Sequence, residues 1–158
     1  VTDSVRQLVH DSGFPGMKVL EFAFDSRDSG CANDYLPHNY PENSVAYTGT
    51  HDNETIVGWW KSITVKERKL ARDYLCDNWT PDKDLHKCFI SLVMRSSAKL
   101  CVIPMQDYMG LDNSSRMNQP STVGKNWKWR IRKRELTVKL QKEIHGIALR
   151  YGRMNWSD

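Results

Sequence analysis

The sequence predicts an α/β fold: about three parallel strands with flanking helices. Three observations point there. Short apolar runs at 17–24, 44–48 and 100–105 lack the strict polar alternation of strands with one wet face. Helical patterns precede the first run, lie between the second and third, and follow the last. A long polar loop leaves the C-terminal end of each run, the edge on which α/β folds keep their chemistry. Strands alternating with helices imply right-handed βαβ units and a parallel sheet.

Each element has its own signal. Val5, Leu8 and Val9 recur at helical spacing, and Gly13, Pro15 and Gly16 break the pattern, so residues 1–10 read as a helix end. Met17 to Phe24 (MKVLEFAF) is apolar enough for a strand buried on both faces. Residues 25–44 hold Gly30, Pro37 and Pro41 among many Asp, Asn and Ser, which predicts a long loop. Ser44 to Thr48 is a second strand, followed at once by Gly49-Thr50-His51-Asp52-Asn53. Asn53 or Thr50 is placed to cap a helix over 54–62. Thr64 with Glu67 makes a capping box for a helix to about Cys76. Thr80 as cap and Pro81 as first residue open another, with Leu85, Cys88, Phe89, Leu92 and Val93 on one stripe. Leu100 to Met105 is the third strand, with Pro104 tolerable near its end. Residues 106–129 read as loop, and a last helix runs from about Arg134 to Arg150 with Leu136, Leu140, Ile144 and Ile147 inward.

At 158 residues the chain suits one domain, with no repeat or linker inside it. Its 39% hydrophobic and 27% charged content excludes collagen-like and fully disordered chains. No run approaches the roughly 20 apolar residues of a membrane span, so no membrane partner is expected. No signal peptide opens the chain, and a start at Val1 rather than Met suggests a fragment or a processed product. Cys31, Cys76, Cys88 and Cys101 show no C-x-x-C spacing, which argues against zinc; reduced, buried thiols in a cytoplasmic protein are the expectation. Charge is uneven. Residues 1–110 hold 12 Lys/Arg and 15 Asp/Glu (−3), and residues 111–158 hold 11 and 4 (+7), summing to +4.

Polar function concentrates at Thr50-His51-Asp52-Asn53-Glu54-Thr55, directly after a strand. Asp52 is a candidate for acid/base or electrostatic work, and His51 for hydrogen bonding to a ligand. The competing reading makes Asp52 and Asn53 helix caps. One carboxylate is no mechanism by itself, because glycoside chemistry uses two flanking the bond. His51-Asp52 has no second His at helical spacing, which weighs against a metal. Lys125 to Arg134 (KNWKWRIRKR) carries six basic residues and two tryptophans, a composition that grips phosphates and stacks bases. No nucleic-acid-binding motif accompanies it, so none is expected as partner. Tryptophans also stack on sugar faces. Trp59, Trp60, Trp127 and Trp129 are candidates, with Trp59 and Trp60 on a helix and better suited to the core.

Taken together, the residues resemble the amylomaltases, the 4-alpha-glucanotransferases that disproportionate maltodextrins. The pieces that carry the resemblance are GMKVLEFAF at 16–24, YLPHNY at 35–40 and YTGTHDNET at 47–55. Gln106-Asp107 with Gly110-Leu111, Arg116-Met117-Asn118 with Pro120, and Asn126-Trp127 with Trp129-Arg130 follow in the family's order. Ser121 departs from it, standing where the family usually has Gly, and Gly124-Lys125 replaces a small-residue–Gly pair.

The resemblance implies a (β/α)8 TIM barrel of which these strands are the sixth, seventh and eighth. A whole barrel takes about 250 residues, so the chain reads as one partial domain, 1–158, the C-terminal part of a larger enzyme. It implies 4-alpha-glucanotransferase activity by a retaining two-step mechanism on maltodextrin or another α-1,4-glucan, with no cofactor or metal. Asp52 corresponds to the third of the family's three catalytic carboxylates, His51 to a sugar-binding histidine, and Asn118 to a position lining the same pocket. The nucleophilic Asp and acid/base Glu belong to the fourth and fifth strands, upstream of Val1. The remainder of the barrel is thus an implied partner, and the fragment alone is expected to be inactive. An α-amylase-type hydrolase and a non-catalytic sugar- or nucleic-acid-binding module remain as alternatives.

Overall fold

The computed structural model describes residues 2–26 and 33–155. It contains a three-stranded parallel sheet in the order β1 (Gly16–Val19), β2 (Ser44–Tyr47), β3 (Leu100–Val102). The helices are α1 (Asp3–Ser12), α2 (Ile56–Ser62), α3 (Val65–Leu75), α4 (Leu85–Met94), α5 (Met105–Tyr108) and α6 (Val138–Arg150). Helices α2, α3 and α4 form the crossover from β2 to β3, and α4 packs against α2, α5 and α6.

The register places Lys18, Ala46 and Cys101 in one row across the sheet and Met17, Val45 and Leu100 in the next. Alternate residues of a strand face opposite sides. The Ala46 face meets a core of Leu20, Phe24, Ile56, Trp59, Trp60, Leu85, Phe89 and Val93. Its centre is aromatic: the Trp59 and Phe89 rings cross edge-on at 5.4 Å, and Phe24 touches both. The Met17 face is open, with Met17, Leu100 and Val102 56%, 54% and 44% exposed. Burial of the strands on both faces is therefore corrected: among the described residues Val19 is covered on this face, but Met17, Leu100 and Val102 are open.

The strands are also shorter than their apolar runs. After Val19 the chain turns into a 3-10 segment, Leu20–Phe22, closed by Ala23 N–H donating to the Leu20 carbonyl at 2.9 Å. The apolar residues beyond Val19 serve the core through a turn: Leu20, Ala23 and Phe24 are all buried. β3 stops before Pro104, which has no N–H for the ladder and precedes α5 in the stretch that reads as loop.

Caps move too. Thr55 caps α2, its Oγ1 accepting from Gly58 N–H at 3.1 Å. Asn53 instead closes a local turn, its Oδ1 accepting from the Thr50 N–H and hydroxyl. The Thr64–Glu67 capping box of α3 forms as the sequence predicts, a device worth about 1 kcal/mol. Thr80 does not open α4: its N–H donates to Asp77, Pro81–Asp84 forms a turn, and the helix begins at Leu85. α6 begins at Val138 under a Thr137 cap, because Lys133–Glu135 is taken up in a 3-10 turn.

Neither α1 nor α6 buries a residue fully, and Leu8 and Leu136 are exposed. Cys76 is exposed rather than buried, because it sits past the end of α3 at φ 52°, while Cys88 and Cys101 are half-buried. Cys31 lies outside the described residues.

Candidate functional site

Parallel strands send all their C-terminal ends to one edge. Glu21 after β1, Thr48 to Glu54 after β2, and Gln106 to Asn118 after β3 gather there. His51 and Asp52 lead the β2 loop with side chains 58% and 49% exposed. Asp52 caps no helix, since Thr55 does that work. Its Oδ1 instead accepts from Asn118 Nδ2 at 2.6 Å and lies 3.2 Å from His51 Nε2.

The loop after β3 fixes the loop after β2 through main-chain atoms. Asn118 N–H donates to the His51 carbonyl at 3.0 Å. Arg116 donates from Nη2 to the Asp52 carbonyl at 2.6 Å and from Nε to the Asn118 carbonyl at 2.9 Å. One guanidinium thus bridges two loops in its fixed fork geometry. The three site residues singled out in the sequence, His51, Asp52 and Asn118, are brought together, with Asn118 acting directly on the Asp52 carboxylate.

Beneath them lie carboxylates that sequence reasoning did not assign. Asp107 is fully buried. It accepts from the Thr48 hydroxyl and, at 2.8 Å, from Ile56 N–H, joining the end of β2 to the first turn of α2. Burial raises its carboxyl above the usual range, and those two bonds oppose the rise.

Glu21, 8% exposed, lies under the Gly49 turn, and its Oε1 finds no hydrogen-bond partner among the described residues. Burial first, then the charges of Asp107 and Glu54, push it up to about 9, against the pull of Arg116 and Asn53. A Cβ at position 49 would stand 2.7 Å from that Oε1 and 3.2 Å from Asn53 Cβ, so any larger residue there would displace Glu21. The signal was in the sequence: one carboxylate inside the apolar run MKVLEFAF, a pattern that requires a partner or a neutral state.

Glu54 accepts from Asn113 Nδ2 at 3.0 Å and from the Ser62 hydroxyl at 2.6 Å. A cleft of about 190 Å3 opens along this edge between Thr50, His51, Glu54, Gln106, Arg116 and Met117. That is below the roughly 300–1,000 Å3 of a complete ligand pocket. Chemically the edge offers the exposed Asp52 carboxylate in fixed orientation with an imidazole beside it, a second, half-exposed carboxylate at Glu54, and a polar floor held by buried groups. It suits the binding of a polyhydroxylated ligand. Among the described residues no group of three His, Cys, Asp or Glu could hold a metal ion.

Trp59 and Trp60 are core residues, 6% and 5% exposed, whereas Trp127 stands at the site, its ring centroid 5.2 Å from that of His51. The basic segment from Lys125 is exposed for most of its length. Ser121 has φ 64° and Gly124 φ 91°, so the left-handed turn survives the Gly-to-Ser departure at 121, at a cost of about 1 kcal/mol.

Comparisons with known proteins point to one family. The profile of a family described as 4-alpha-glucanotransferase matches residues 1–137. The chain is 40% identical over 157 residues to the 4-alpha-glucanotransferase, chloroplastic/amyloplastic, of Solanum tuberosum, covering 98% of this chain and 26% of that protein. It is 40% identical over 155 residues to the 4-alpha-glucanotransferase of Thermus thermophilus, covering 95% and 29%. Among solved structures it superposes on the amylomaltase from Streptococcus agalactiae in complex with acarbose with a TM-score of 0.88 at 35% identity. That match covers 98% of this chain and 30% of the other. The chain thus spans about three-tenths of the length of these relatives, and its sheet and helices correspond to that part of a TIM-barrel enzyme.

Proposed function

The chain belongs to the 4-alpha-glucanotransferase family, and we propose that it supplies the Asp52 edge of the active site in a full-length enzyme that transfers α-1,4-glucan segments between maltodextrins. The observation that carries this is the disposition of Asp52: half-exposed, at a parallel strand end, oriented by Asn118 and His51, and free of any capping duty. A carboxylate held this way binds hydroxyls, and it does so most strongly when positive charge develops on the sugar ring.

In the retaining scheme a nucleophilic carboxylate displaces the leaving glycan, whose oxygen takes a proton from the acid/base residue. The 4-hydroxyl of a second sugar then attacks the glycosyl-enzyme and returns that proton. Those two carboxyl groups belong to the remainder of the barrel. On this reading Asp52 contributes the electrostatic part, grasping ring hydroxyls at the reacting subsite and favouring the distorted, oxocarbenium-like state. His51, exposed next to it, binds sugar hydroxyls, and Asn118 holds Asp52 in position. No step calls for a cofactor or a metal.

The chain serves as one partial domain whose partners are the rest of the barrel and the glucan. On this reading the enzyme is cytoplasmic; Cys76, Cys88 and Cys101 are free thiols among the described residues. No described helix is long and apolar enough to cross a membrane. Maltotriose given to the full-length enzyme tests the reading: glucose together with longer maltodextrins is expected. Reducing ends that rise without longer products would make it a hydrolase.

A further inference from the structure

Trp127 is an aromatic residue at the site that the core does not explain. Trp59 and Trp60 are enclosed, while Trp127 is 53% exposed. Its position is nevertheless fixed. Its N–H donates to the Met117 carbonyl at 2.7 Å, and its ring meets the His51 ring at 5.2 Å with planes 38° apart. Its own carbonyl and that of Trp129 both accept from Arg130 Nη1, at 2.8 and 2.7 Å.

The backbone at Trp127 sits at φ 63°, a region bulky residues avoid unless the surroundings hold them there. A half-open indole on a strained backbone, packed against the His51 ring that in turn touches Asp52, is an arrangement that stability alone does not require. A pyranose ring has an apolar face of axial C–H groups and a rim of hydroxyls. An aromatic face covers the first, and a carboxylate and an imidazole bond the second. Here the three stand in sequence: Trp127 against His51, and His51 Nε2 3.2 Å from Asp52 Oδ1.

We propose that Trp127 is a sugar-binding platform that stacks one glucosyl unit of an α-1,4-glucan next to Asp52. This rests on the reading of the site as a glucan-transfer site. The platform acts on binding rather than on the bond broken, so its loss shows in KM.

The test uses the full-length enzyme with maltotriose and maltoheptaose, comparing wild type, Trp127→Ala and Trp127→Phe. Trp127→Ala is expected to raise KM about tenfold, the worth of one lost aromatic contact, with kcat within a few-fold. Trp127→Phe, which keeps an aromatic face, recovers most of the loss and guards against a misfolded Ala variant. An active enzyme whose KM is unchanged in Trp127→Ala overturns the platform and leaves the transferase reading standing. A collapse of kcat at constant KM also overturns it, since Trp127 would then serve only to position His51. A wild-type enzyme that makes no longer products from maltotriose refutes the transfer reading itself.

Discussion

Glu21→Gln in the full-length enzyme should change how stability depends on pH. Glu21 is buried under Gly49 among the acidic groups Asp107 and Glu54, and its carboxyl is pushed up to about 9 from 4.5 in the unfolded chain. A carboxyl raised on folding is protonated in the native state and ionised in the unfolded state between those two values. The unfolded state binds fewer protons there, so stability is fully present below the unfolded value and falls as pH rises toward the folded one. The slope is about 1.4 kcal/mol per pH unit, which over the three units from pH 5 to 8 amounts to about 4 kcal/mol. Glutamine has the shape of the protonated acid and no proton to lose. Urea unfolding of both proteins at pH 5 and pH 8 should therefore give similar stabilities at pH 5. At pH 8 the variant should be the more stable by up to that amount. Two proteins whose stabilities fall in parallel between pH 5 and 8 would show that Glu21 is ionised in the native state, and the account of the floor beneath the site would be wrong.

Two further outcomes follow from the backbone and the open sheet. Ser121→Gly should raise the stability of the full-length enzyme by about 1 kcal/mol, because the residue already sits at φ 64° where glycine carries no Cβ penalty; an unchanged or lowered unfolding midpoint would contradict that. The 158-residue chain expressed by itself should self-associate or lack a cooperative transition, since Met17, Leu100 and Val102 open an apolar sheet face to water and β1 and β3 are unpaired edges. A monodisperse monomer with a sharp thermal transition would refute it.

The architecture was legible because parallel strands announce themselves as apolar runs and helices as periodic stripes. Element ends were less so, for particular reasons. MKVLEFAF is apolar throughout, but apolar residues serve a tight turn over the core as well as a strand, and composition does not separate the two. Thr50 and Asn53 looked like caps because cap residues and turn residues share the same chemistry; which one reaches the free N–H groups of α2 is decided by the path of the chain. Thr80 caps nothing because Asp77 draws its N–H into a local turn and α4 begins only at Leu85, an outcome only the fold resolves. At the site, His51 and Asp52 were legible from their place after a strand. The bond from Asn118 to Asp52 spans 66 residues of chain and the Arg116 bridge 64, distances at which local pattern is silent. Glu21 was visible as a charge within an apolar run, and its meaning emerged only with Asp107 and Glu54 beside it.

Asp52→Asn in the full-length enzyme tests the central claim most directly, with turnover of maltotriose and the unfolding midpoint measured on the same preparation. Asn keeps the shape and the contact with Asn118 while removing the charge that a developing oxocarbenium would feel. The account predicts a fall in kcat of about three orders of magnitude or more with stability changed by less than about 1 kcal/mol. Near-normal turnover accompanied by a lowered midpoint would contradict it, because Asp52 would then be a structural residue of the loop and nothing more.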